Sequence, residues 1–261
     1  MKHQFLDLGK QPIANAFVGD ELDEDEYFYD LKVCFDDKTK LVSLAEFVNP
    51  ELMFNEGYVY HSSMSNTMKQ HFFKAATHLK SLFNPEKVLE IGSNDGVFLK
   101  HFNKSNTFAV EPCGNFAATT NAMGYYTYSN FWTTNLAEKI SIEKGKMNLI
   151  FSANCMCHIQ NLEDAFKAVE LLLDDSGVFV FEDPSLASVV EKNCYDQFYD
   201  EHAHIFSVTA LQNLLNMHNL EIFKIEKIKV HGQSNRVFAK KIANNKIIID
   251  ESVKNNLAYE Q

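Results

Sequence analysis

The stretch Val88-Leu89-Glu90-Ile91-Gly92-Ser93-Asn94-Asp95-Gly96 decides the fold of this chain. It is a short apolar strand that breaks into a glycine turn, and the run Val97-Phe98-Leu99 opens a predicted helix. Gly92 and Gly96 lack a side chain, so the backbone can turn sharply and a ligand can approach the peptide groups closely. A tight connection between strand and helix would use the same glycines, so the turn alone does not establish a ligand site.

A second strand, Phe108-Ala109-Val110-Glu111-Pro112, supplies the partner of that turn. Glu111 lies 111 − 92 = 19 residues beyond Gly92. In nucleotide-binding sheets a carboxylate at about this separation from the glycine turn binds the two hydroxyls of a ribose. The chain lacks the G-x-G-x-x-G sequence that cradles a diphosphate, and Asp95 in the turn would repel phosphate. These features predict a cofactor without phosphates and with a positive charge, and S-adenosylmethionine fits.

Composition narrows the class of protein. The 261 residues, 46% hydrophobic and 23% charged, are enough for a sizeable core, and the net charge of −11 argues against a nucleic-acid partner. No apolar run approaches the roughly 18 residues of a membrane span, and the start, Met1-Lys2-His3-Gln4, has no apolar signal region. We therefore expect a cytoplasmic enzyme with a small-molecule substrate. The pattern does not predict an oligomeric state.

The cysteines indicate reduced thiols. There are five, an odd number, and they are widely scattered without a C-x-x-C pair, which argues against disulfides and against a zinc knuckle. We therefore expect no structural metal.

Strands and helices alternate after residue 87, which predicts a Rossmann-like α/β fold with a parallel sheet covered on both faces. The predicted strands cover residues 87–91, 107–111, 126–129, 147–153 and 177–182. The predicted helices between them cover residues 96–102, 115–123, 133–143 and 162–173. After a helix over 208–217, strands over 221–230 and 236–241 predict an antiparallel hairpin as the end of the sheet.

Two domains are predicted. Residues 1–60 contain several glycines and prolines and no long helical period, so we expect a small irregular lobe with short strands over 29–34 and 40–45 and an acidic loop over 20–30. Residues 61–261 form the cofactor-binding domain, which begins with an amphipathic helix over 66–83 and includes an active-site segment over 184–240. Ligands in such sheets lie beyond the strand ends. One rim of side chains is therefore predicted at Gly92, Glu111, Asn130, Asn154 and Glu182.

The densest chemical cluster is Phe198-Tyr199-Asp200-Glu201-His202-Ala203-His204. Methyl transfer from a sulfonium is an in-line displacement, so the protein must orient the acceptor and remove a proton where the nucleophile is a carbon or a hydroxyl. Histidine titrates near neutrality, and a nearby carboxylate can fix its tautomer. We therefore predict that His202 is a general base, and that Glu201 and Tyr199 orient either His202 or the acceptor. His204 is interpreted as a structural histidine.

Two further clusters are candidates. Tyr58-Val59-Tyr60-His61-Ser62-Ser63 offers hydroxyls just before the first long helix, although a serine there can simply cap that helix. Asn154-Cys155-Met156-Cys157-His158 follows the fourth strand, where a polar side chain would face the reacting methyl. The simpler reading of its two cysteines is that they are buried thiols.

Motifs along almost the whole chain resemble those of the sugar C-methyltransferases. They are Leu8-Gly9-Lys10-Gln11-Pro12-Ile13-Ala14-Asn15, Tyr58 to Ser63, Val88 to Gly96, Val110-Glu111-Pro112, Ala153-Asn154 with His158, Tyr199-Asp200-Glu201-His202 and His231-Gly232-Gln233-Ser234-Asn235-Arg236. The resemblance implies a class I S-adenosylmethionine fold and activity on nucleotide-linked deoxy-keto-sugars. It also implies that a base matching His202 removes a proton beside the sugar ketone, and that the resulting enolate attacks the methyl.

The candidate site residues come from the resemblance together with the strand ends and clusters described above; the cofactor contacts that the resemblance itself implies are Gly92, Asn94 and Glu111. The catalytic candidates are His202, Glu201, Tyr199, His158 and Tyr60. The cofactor-binding candidates are Gly92, Ser93, Asn94, Asp95, Gly96, Glu111, Pro112, Asn130, Phe131, Asn154 and Ser63.

The chain departs from the family pattern at several places. Family members usually carry an N-terminal zinc lobe with four cysteines, whereas only Cys34 is present here, so zinc binding is expected to be lost. The chain ends 261 − 236 = 25 residues after Arg236, where the family continues into a further domain that helps hold the sugar nucleotide. Asp200 replaces a usual histidine and Gln233 a usual glycine. These departures affect the expected identity of the acceptor more than the expectation of methyl transfer.

The leading hypothesis is an S-adenosylmethionine-dependent methyltransferase that acts on a sugar or nucleotide-linked precursor of a surface polysaccharide or glycoside. An O-methyltransferase that acts on a hydroxyl or phosphoryl oxygen is the nearest alternative, because His202 could equally deprotonate a hydroxyl. A non-catalytic binding or scaffold relative is an alternative of another class. A nicotinamide-dependent oxidoreductase is disfavoured by the missing diphosphate fingerprint.

Overall fold

The computed structural model describes residues 1–17 and 26–261, which fold into two sheets with helices around the larger one. The strands are β1 (Lys2–Pro12), β2 (Phe28–Asp36), β3 (Val42–Leu44), β4 (Val88–Ile91), β5 (Thr107–Val110), β6 (Tyr126–Tyr128), β7 (Met147–Ala153), β8 (Leu173–Pro184), β9 (His204–Ile205), β10 (Leu220–Ile228) and β11 (Ser234–Lys241). Most of the acidic loop expected over 20–30 lies outside the described residues.

The helices follow the apolar periodicity of the sequence. They are α1 (Pro50–Met53), α2 (Asn66–Phe83), α3 (Gly114–Ala122), α4 (Thr134–Lys144), α5 (Leu162–Leu172), α6 (Leu186–Lys192), α7 (Val208–Asn216) and α8 (Glu251–Tyr259). In α5, for example, the Asn161 side chain caps the N-terminus by accepting from the Asp164 backbone N–H at 3.1 Å, and apolar residues spaced three and four apart are buried. No helix of the described residues is long and apolar enough to span a membrane.

The larger sheet has the strand order β10-β11-β8-β7-β4-β5-β6. The five strands from β8 to β6 are parallel, and β11 and β10 add an antiparallel hairpin at one edge, so the predicted fold class is confirmed. The chain runs from β4 outward to β5 and β6, and then returns to β7 and β8 on the other side of β4. This reversal opens a crevice between the carboxyl ends of β4 and β7, where ligands of such sheets bind.

The smaller sheet has the order β1-β2-β3-β9 and is antiparallel throughout. Its last strand comes from the larger domain: Ser43 pairs with His204, and Val42 pairs with Ile205. Ala14 of the lobe also donates its backbone N–H to Asp200 at 3.1 Å. The segment that carries the predicted catalytic cluster is therefore bound directly to the N-terminal lobe.

Several elements differ from the sequence-based expectations, among them the short α1 and β9, which were not predicted. The helix predicted over 96–102 is only a short 3-10 turn, Leu99–His101, because Val97, Phe98 and Leu99 are all buried and so cannot form the exposed face of a helix. The 11-residue strand β1 and the helix α6 were not predicted. Most of the residues of β1 are exposed, so its sequence lacks the apolar alternation that identifies a half-buried strand.

Candidate active site

A cavity of about 460 Å³ lies at the carboxyl ends of β4, β5 and β7. Its volume falls within the range of small-molecule sites, and its position is the crevice that the strand order predicts. Both the sheet and the N-terminal lobe line it. Of the predicted site residues, the cavity is lined by Gly92, Asn94, Glu111, Pro112, Phe131, Asn154, Tyr60, His158, Tyr199, Glu201 and His202.

The glycine turn forms one wall of this cavity. Gly92 has a φ of +72°, and its N–H donates to the Val110 carbonyl at 2.8 Å. A Cβ at this position would lie 2.7 Å from the Cys155 Sγ, so a side chain cannot be accommodated without movement of Cys155. Gly92 is therefore required both by its backbone conformation and by the close approach of the segment after β7.

Glu111 holds the turn and faces the cavity. One carboxylate oxygen accepts from the Asn94 backbone N–H at 2.7 Å, and the other accepts from the Cys113 N–H at 2.9 Å. Burial raises the pKa of Glu111, and these two hydrogen bonds oppose that shift. Each oxygen of a carboxylate can accept a second hydrogen bond, so the group retains capacity for two ligand hydroxyls.

The same turn fixes the segment that precedes α2. Asn94 accepts from the Ser62 N–H at 2.9 Å and donates to the Tyr60 carbonyl at 2.9 Å, while Asp95 accepts from the Ser63 N–H at 3.0 Å. Ser65 caps α2, so neither Ser62 nor Ser63 has that role. Asn94 and Asp95 therefore hold the backbone of the segment that carries Tyr60 against the glycine turn.

Some predicted cofactor residues do not line the cavity. Ser63 and Asp95 bond to each other as described, and Ser93 is buried within the turn. Gly96 packs against α3, and Asn130 is exposed at the surface, whereas its neighbour Phe131 does line the cavity. These residues support or flank the cavity wall and do not themselves form it.

Glu182, the last predicted member of the rim, is also elsewhere. It is buried in an ion pair with Arg236 at 2.6 Å, and the His71 imidazole lies 2.5 Å from its other oxygen. These partners hold the pKa of Glu182 low despite its burial. Glu182 thus joins β8, β11 and α2 beside the cavity and does not face a ligand.

His202 is held in one orientation inside the cavity. Its Nδ1 lies 2.7 Å from the Gln197 carbonyl, so Nδ1 carries the proton that it donates, and Nε2 retains its lone pair. Burial lowers the pKa of His202 to about 4, which keeps the ring neutral near pH 7. The Tyr199 ring lies 4.3 Å from the His202 ring between centroids, and the His158 ring stacks on it at 5.4 Å.

Glu201 connects the catalytic segment to the lobe. Its two oxygens accept from the Tyr58 hydroxyl at 2.9 Å and from the Asn15 side-chain amide at 2.5 Å. Glu201 is 2% exposed, and burial raises its pKa, while these donors stabilise the ionised form. Among the described residues no hydrogen bond joins Glu201 to His202, so the prediction that Glu201 orients His202 has no such bond to support it. Its contacts show instead that it anchors the lobe over the cavity.

The cavity has no basic lining. None of the described lining residues is Lys or Arg, and residues 18–25 contain neither. Burial lowers the pKa of His158, His202 and His231, so these rings add no positive charge near neutrality. The lining carboxyl groups are Glu111 and Glu201. The cavity therefore favours neutral or cationic ligand groups and disfavours a phosphate.

A metal ion does not fit the cluster of potential ligands that the described residues bring together. Ligand atoms of Cys157, His158 and His202 lie within 4.8 Å of one another, but the two imidazole rings stack at an interplanar angle of 26°. Imidazole lone pairs lie in the ring plane, so stacked rings do not direct them at one ion. In the lobe, residues 1–54 contain a single cysteine, Cys34, which is buried on β2. A four-cysteine zinc site cannot form there.

Sequence reasoning missed several residues of the site. Asn15 and Tyr58 bind Glu201. The motif with Asn15 was recognised without a role for that side chain, and Tyr58 was expected only as one of a cluster of hydroxyls facing a ligand. His231 lines the cavity from the hairpin turn, more than 25 residues away from the predicted cluster. The unusual turn composition His231-Gly232-Gln233 was the available signal.

Comparison with known proteins identifies the fold. A family described as "Methyltransferase domain" matches residues 63–225. The chain belongs to this family. The methyltransferase is also similar in structure to the PH0226 protein of Pyrococcus horikoshii OT3, with a TM-score of 0.55 and 14% identity over 75% of this chain and 100% of that one. A structure described as an S-adenosylmethionine-dependent methyltransferase from Clostridium acetobutylicum ATCC 824 has a TM-score of 0.51 and 15% identity over 69% and 93%.

The N-terminal lobe and the whole chain have relatives too. Residues 1–54 match a family described as "Putative zinc binding domain", although the cysteines of a four-cysteine site are absent. The C-methyltransferase NovU of Streptomyces niveus is 29% identical over 240 residues, which cover 90% of this chain and 57% of that protein. The chain thus spans little more than half the length of this relative. The resemblance inferred from the motifs is confirmed, and so is the fold of S-adenosylmethionine-dependent methyltransferases.

Proposed function

We propose that this methyltransferase transfers the methyl group of S-adenosylmethionine to a carbon beside the carbonyl of a sugar or nucleotide-linked precursor in surface-polysaccharide or glycoside biosynthesis. One observation carries the proposal: His202 is neutral in the cavity, with Nδ1 occupied and the Nε2 lone pair free to accept a proton. A cytoplasmic location belongs to the same proposal, since the five cysteines of the protein form no disulfide.

The cofactor half of the cavity fits S-adenosylmethionine, which supplies an electrophilic methyl when bound. Glu111 retains acceptor capacity for two ribose hydroxyls. The buried Oδ1 of Asn154 has no partner among the described residues, so it would accept a hydrogen bond from an ammonium group. Glu111 and Glu201 also favour a cationic sulfonium over the neutral thioether that remains after transfer.

The acceptor half supports removal of a proton. His202 Nε2 would take the proton from the carbon beside the carbonyl, and the hydroxyls of Tyr60 and Tyr199 would hold the acceptor in line with the methyl. Burial raises the pKa of both phenols, so both remain hydrogen-bond donors at neutral pH. His158 and Phe54, which stack at 5.4 Å, would exclude water from this end of the cavity.

The charge of the cavity bears on the acceptor. A diphosphate inside it would face two carboxylates and no lysine or arginine of the described residues. We therefore propose that only the sugar enters and that any diphosphate stays outside. The same reasoning disfavours methylation of a phosphoryl oxygen.

Product analysis tests the proposal. The protein is incubated with S-adenosylmethionine and a panel of nucleoside-diphosphate-linked 4-keto-6-deoxyhexoses, with His202→Ala as the control, and products are followed by mass spectrometry and NMR. We expect an alkali-stable methyl on carbon that the control fails to form. A methyl on oxygen would instead establish the O-methyltransferase alternative. Tight binding of S-adenosylhomocysteine without turnover across a broad acceptor panel would support a scaffold role.

A further inference from the structure

We propose that His231 is a further catalytic residue, whose imidazole N–H donates a hydrogen bond to the carbonyl oxygen of the acceptor while His202 removes the proton. This inference rests on the proposed function and deepens it. The carbon–hydrogen bond breaks, its proton goes to His202 Nε2, and the electron pair is delocalised onto the carbonyl oxygen. That pair then forms the carbon–methyl bond, while the pair of the sulfur–methyl bond stays on sulfur.

The backbone at His231 is unusual. His231, Gly232 and Gln233 have consecutive positive φ angles of 47°, 74° and 95°, in the turn between β10 and β11. Residues other than glycine at positive φ carry a conformational cost, and such residues cluster at functional sites. Here the turn directs a histidine into the cavity wall.

The His231 side chain has unused hydrogen-bonding capacity. It lines the cavity, and its buried Nε2 has no hydrogen-bond partner among the described residues. Burial lowers the pKa of His231 and the nearby His71 adds to this effect, while Glu182 opposes it. A neutral imidazole that polarises a carbonyl is an established arrangement in enolising enzymes.

The turn is fixed against the segment that holds His202. The Lys192 ammonium donates to the Gly232 carbonyl at 3.2 Å, and the Ser185 N–H donates to the Gln233 carbonyl at 3.3 Å. A Cβ on Gly232 would lie 3.4 Å from the side-chain amide of Gln197. The backbone carbonyl of the same Gln197 accepts the hydrogen bond from His202. The base and the proposed donor are therefore positioned through the same loop.

Hydrogen exchange separates this role from a structural one. Exchange of the acceptor's carbon-bound hydrogen is followed by NMR in D₂O, with S-adenosylhomocysteine and a nucleoside-diphosphate-linked 4-keto-6-deoxyhexose bound. His231→Asn tolerates a positive φ but shortens the side chain, whereas His231→Gln restores an N–H near the Nε2 position. Gln233→Gly relieves the same turn without altering a residue that lines the cavity.

We expect His231→Asn to lower both exchange and kcat about 100-fold, as loss of one oxyanion donor does. His231→Gln recovers part of that loss, Gln233→Gly stays within about two-fold of wild type, and S-adenosylhomocysteine affinity is unchanged throughout. Wild-type exchange in His231→Asn would overturn the inference, as would equal losses in the Asn and Gln variants with a lowered Tm. Failure of the wild type to exchange or methylate any carbonyl sugar would overturn the proposed function itself.

Discussion

The proposed cofactor and acceptor halves of the cavity are built in different ways. The cofactor half comes from neighbouring stretches of chain, the turn after β4 and the end of β5, joined by the hydrogen bond from the Asn94 N–H to Glu111. The acceptor half gathers Tyr58, His202 and His231 from three distant parts of the sequence. Backbone groups, the Glu111 carboxylate and the Asn154 amide belong to the first half as proposed, and neutral imidazoles and phenols dominate the second. Substitutions should therefore separate cofactor affinity from turnover.

His202→Ala is the strongest test of that separation. Loss of a positioned general base lowers rates by about 10²–10⁴-fold, so we expect kcat to fall about 1,000-fold. Among the described residues the His202 side chain has one hydrogen-bond partner, the Gln197 carbonyl, so S-adenosylhomocysteine affinity should stay within about two-fold of wild type. Kinetics with calorimetry on the same preparation check both values. A comparable loss of cofactor affinity would show that the two halves are not independent.

Glu111→Ala is the converse test in the cofactor half. It removes the acceptor of two backbone N–H groups as well as the proposed ribose contacts. Hydrogen bonds to a charged group contribute about 1.5–3 kcal/mol, so we expect S-adenosylhomocysteine affinity to fall about 100-fold. Glu111→Gln keeps the shape and one acceptor oxygen and should lose less. An unchanged affinity in a folded Glu111→Ala protein would remove Glu111 from the cofactor site.

Sequence reasoning found the cavity-lining residues of the proposed cofactor half because their signal is local. Gly92, Asn94 and Glu111 lie within 20 residues, and a glycine turn followed by an acid-tipped strand has a direct geometric meaning in a parallel sheet. The same locality explains why β7, Met147–Ala153, was predicted with its observed bounds: its buried apolar run is flanked by a glycine and a polar loop.

Sequence reasoning found only some of the cavity-lining residues of the proposed acceptor half, because tertiary contacts bring them together. The cluster around His202 was predicted because it has many titratable residues in a short stretch. Nothing in the sequence, however, places Asn15 against Glu201, 186 residues away. Pairing of β3 with β9 brings these segments together, and register between strands so far apart is not encoded by local periodicity. The helix predicted after Gly96 failed for a related reason: the packing of Val97, Phe98 and Leu99 overrides their local pattern.

Tyr58→Phe tests the contact between the lobe and the acceptor half. It removes the hydroxyl that donates to buried Glu201 and leaves the ring in place. Leaving a buried acceptor without its donor costs about 1–3 kcal/mol, so we expect a lower Tm and a roughly 10-fold higher KM for the acceptor. S-adenosylhomocysteine affinity should not change. Tyr126→Phe, at an exposed tyrosine of β6, is the matched control and should alter none of these values.

The pH dependence should show the smallest effect, and it distinguishes the environment of His202 from that of an ordinary histidine. A general base must be neutral, and burial lowers the His202 pKa from 6.5 to about 4. At pH 6 a histidine with a pKa of about 4 is protonated in only about 1% of molecules, whereas one with a pKa of 6.5 is protonated in about three quarters of them. We therefore expect kcat at saturating acceptor to differ less than two-fold between pH 6 and pH 8 and to fall only as pH approaches 4. A rate that halves near pH 6.5, matched by an NMR titration of His202 at the same value, would mean that the ring is solvated and that burial does not set its basicity.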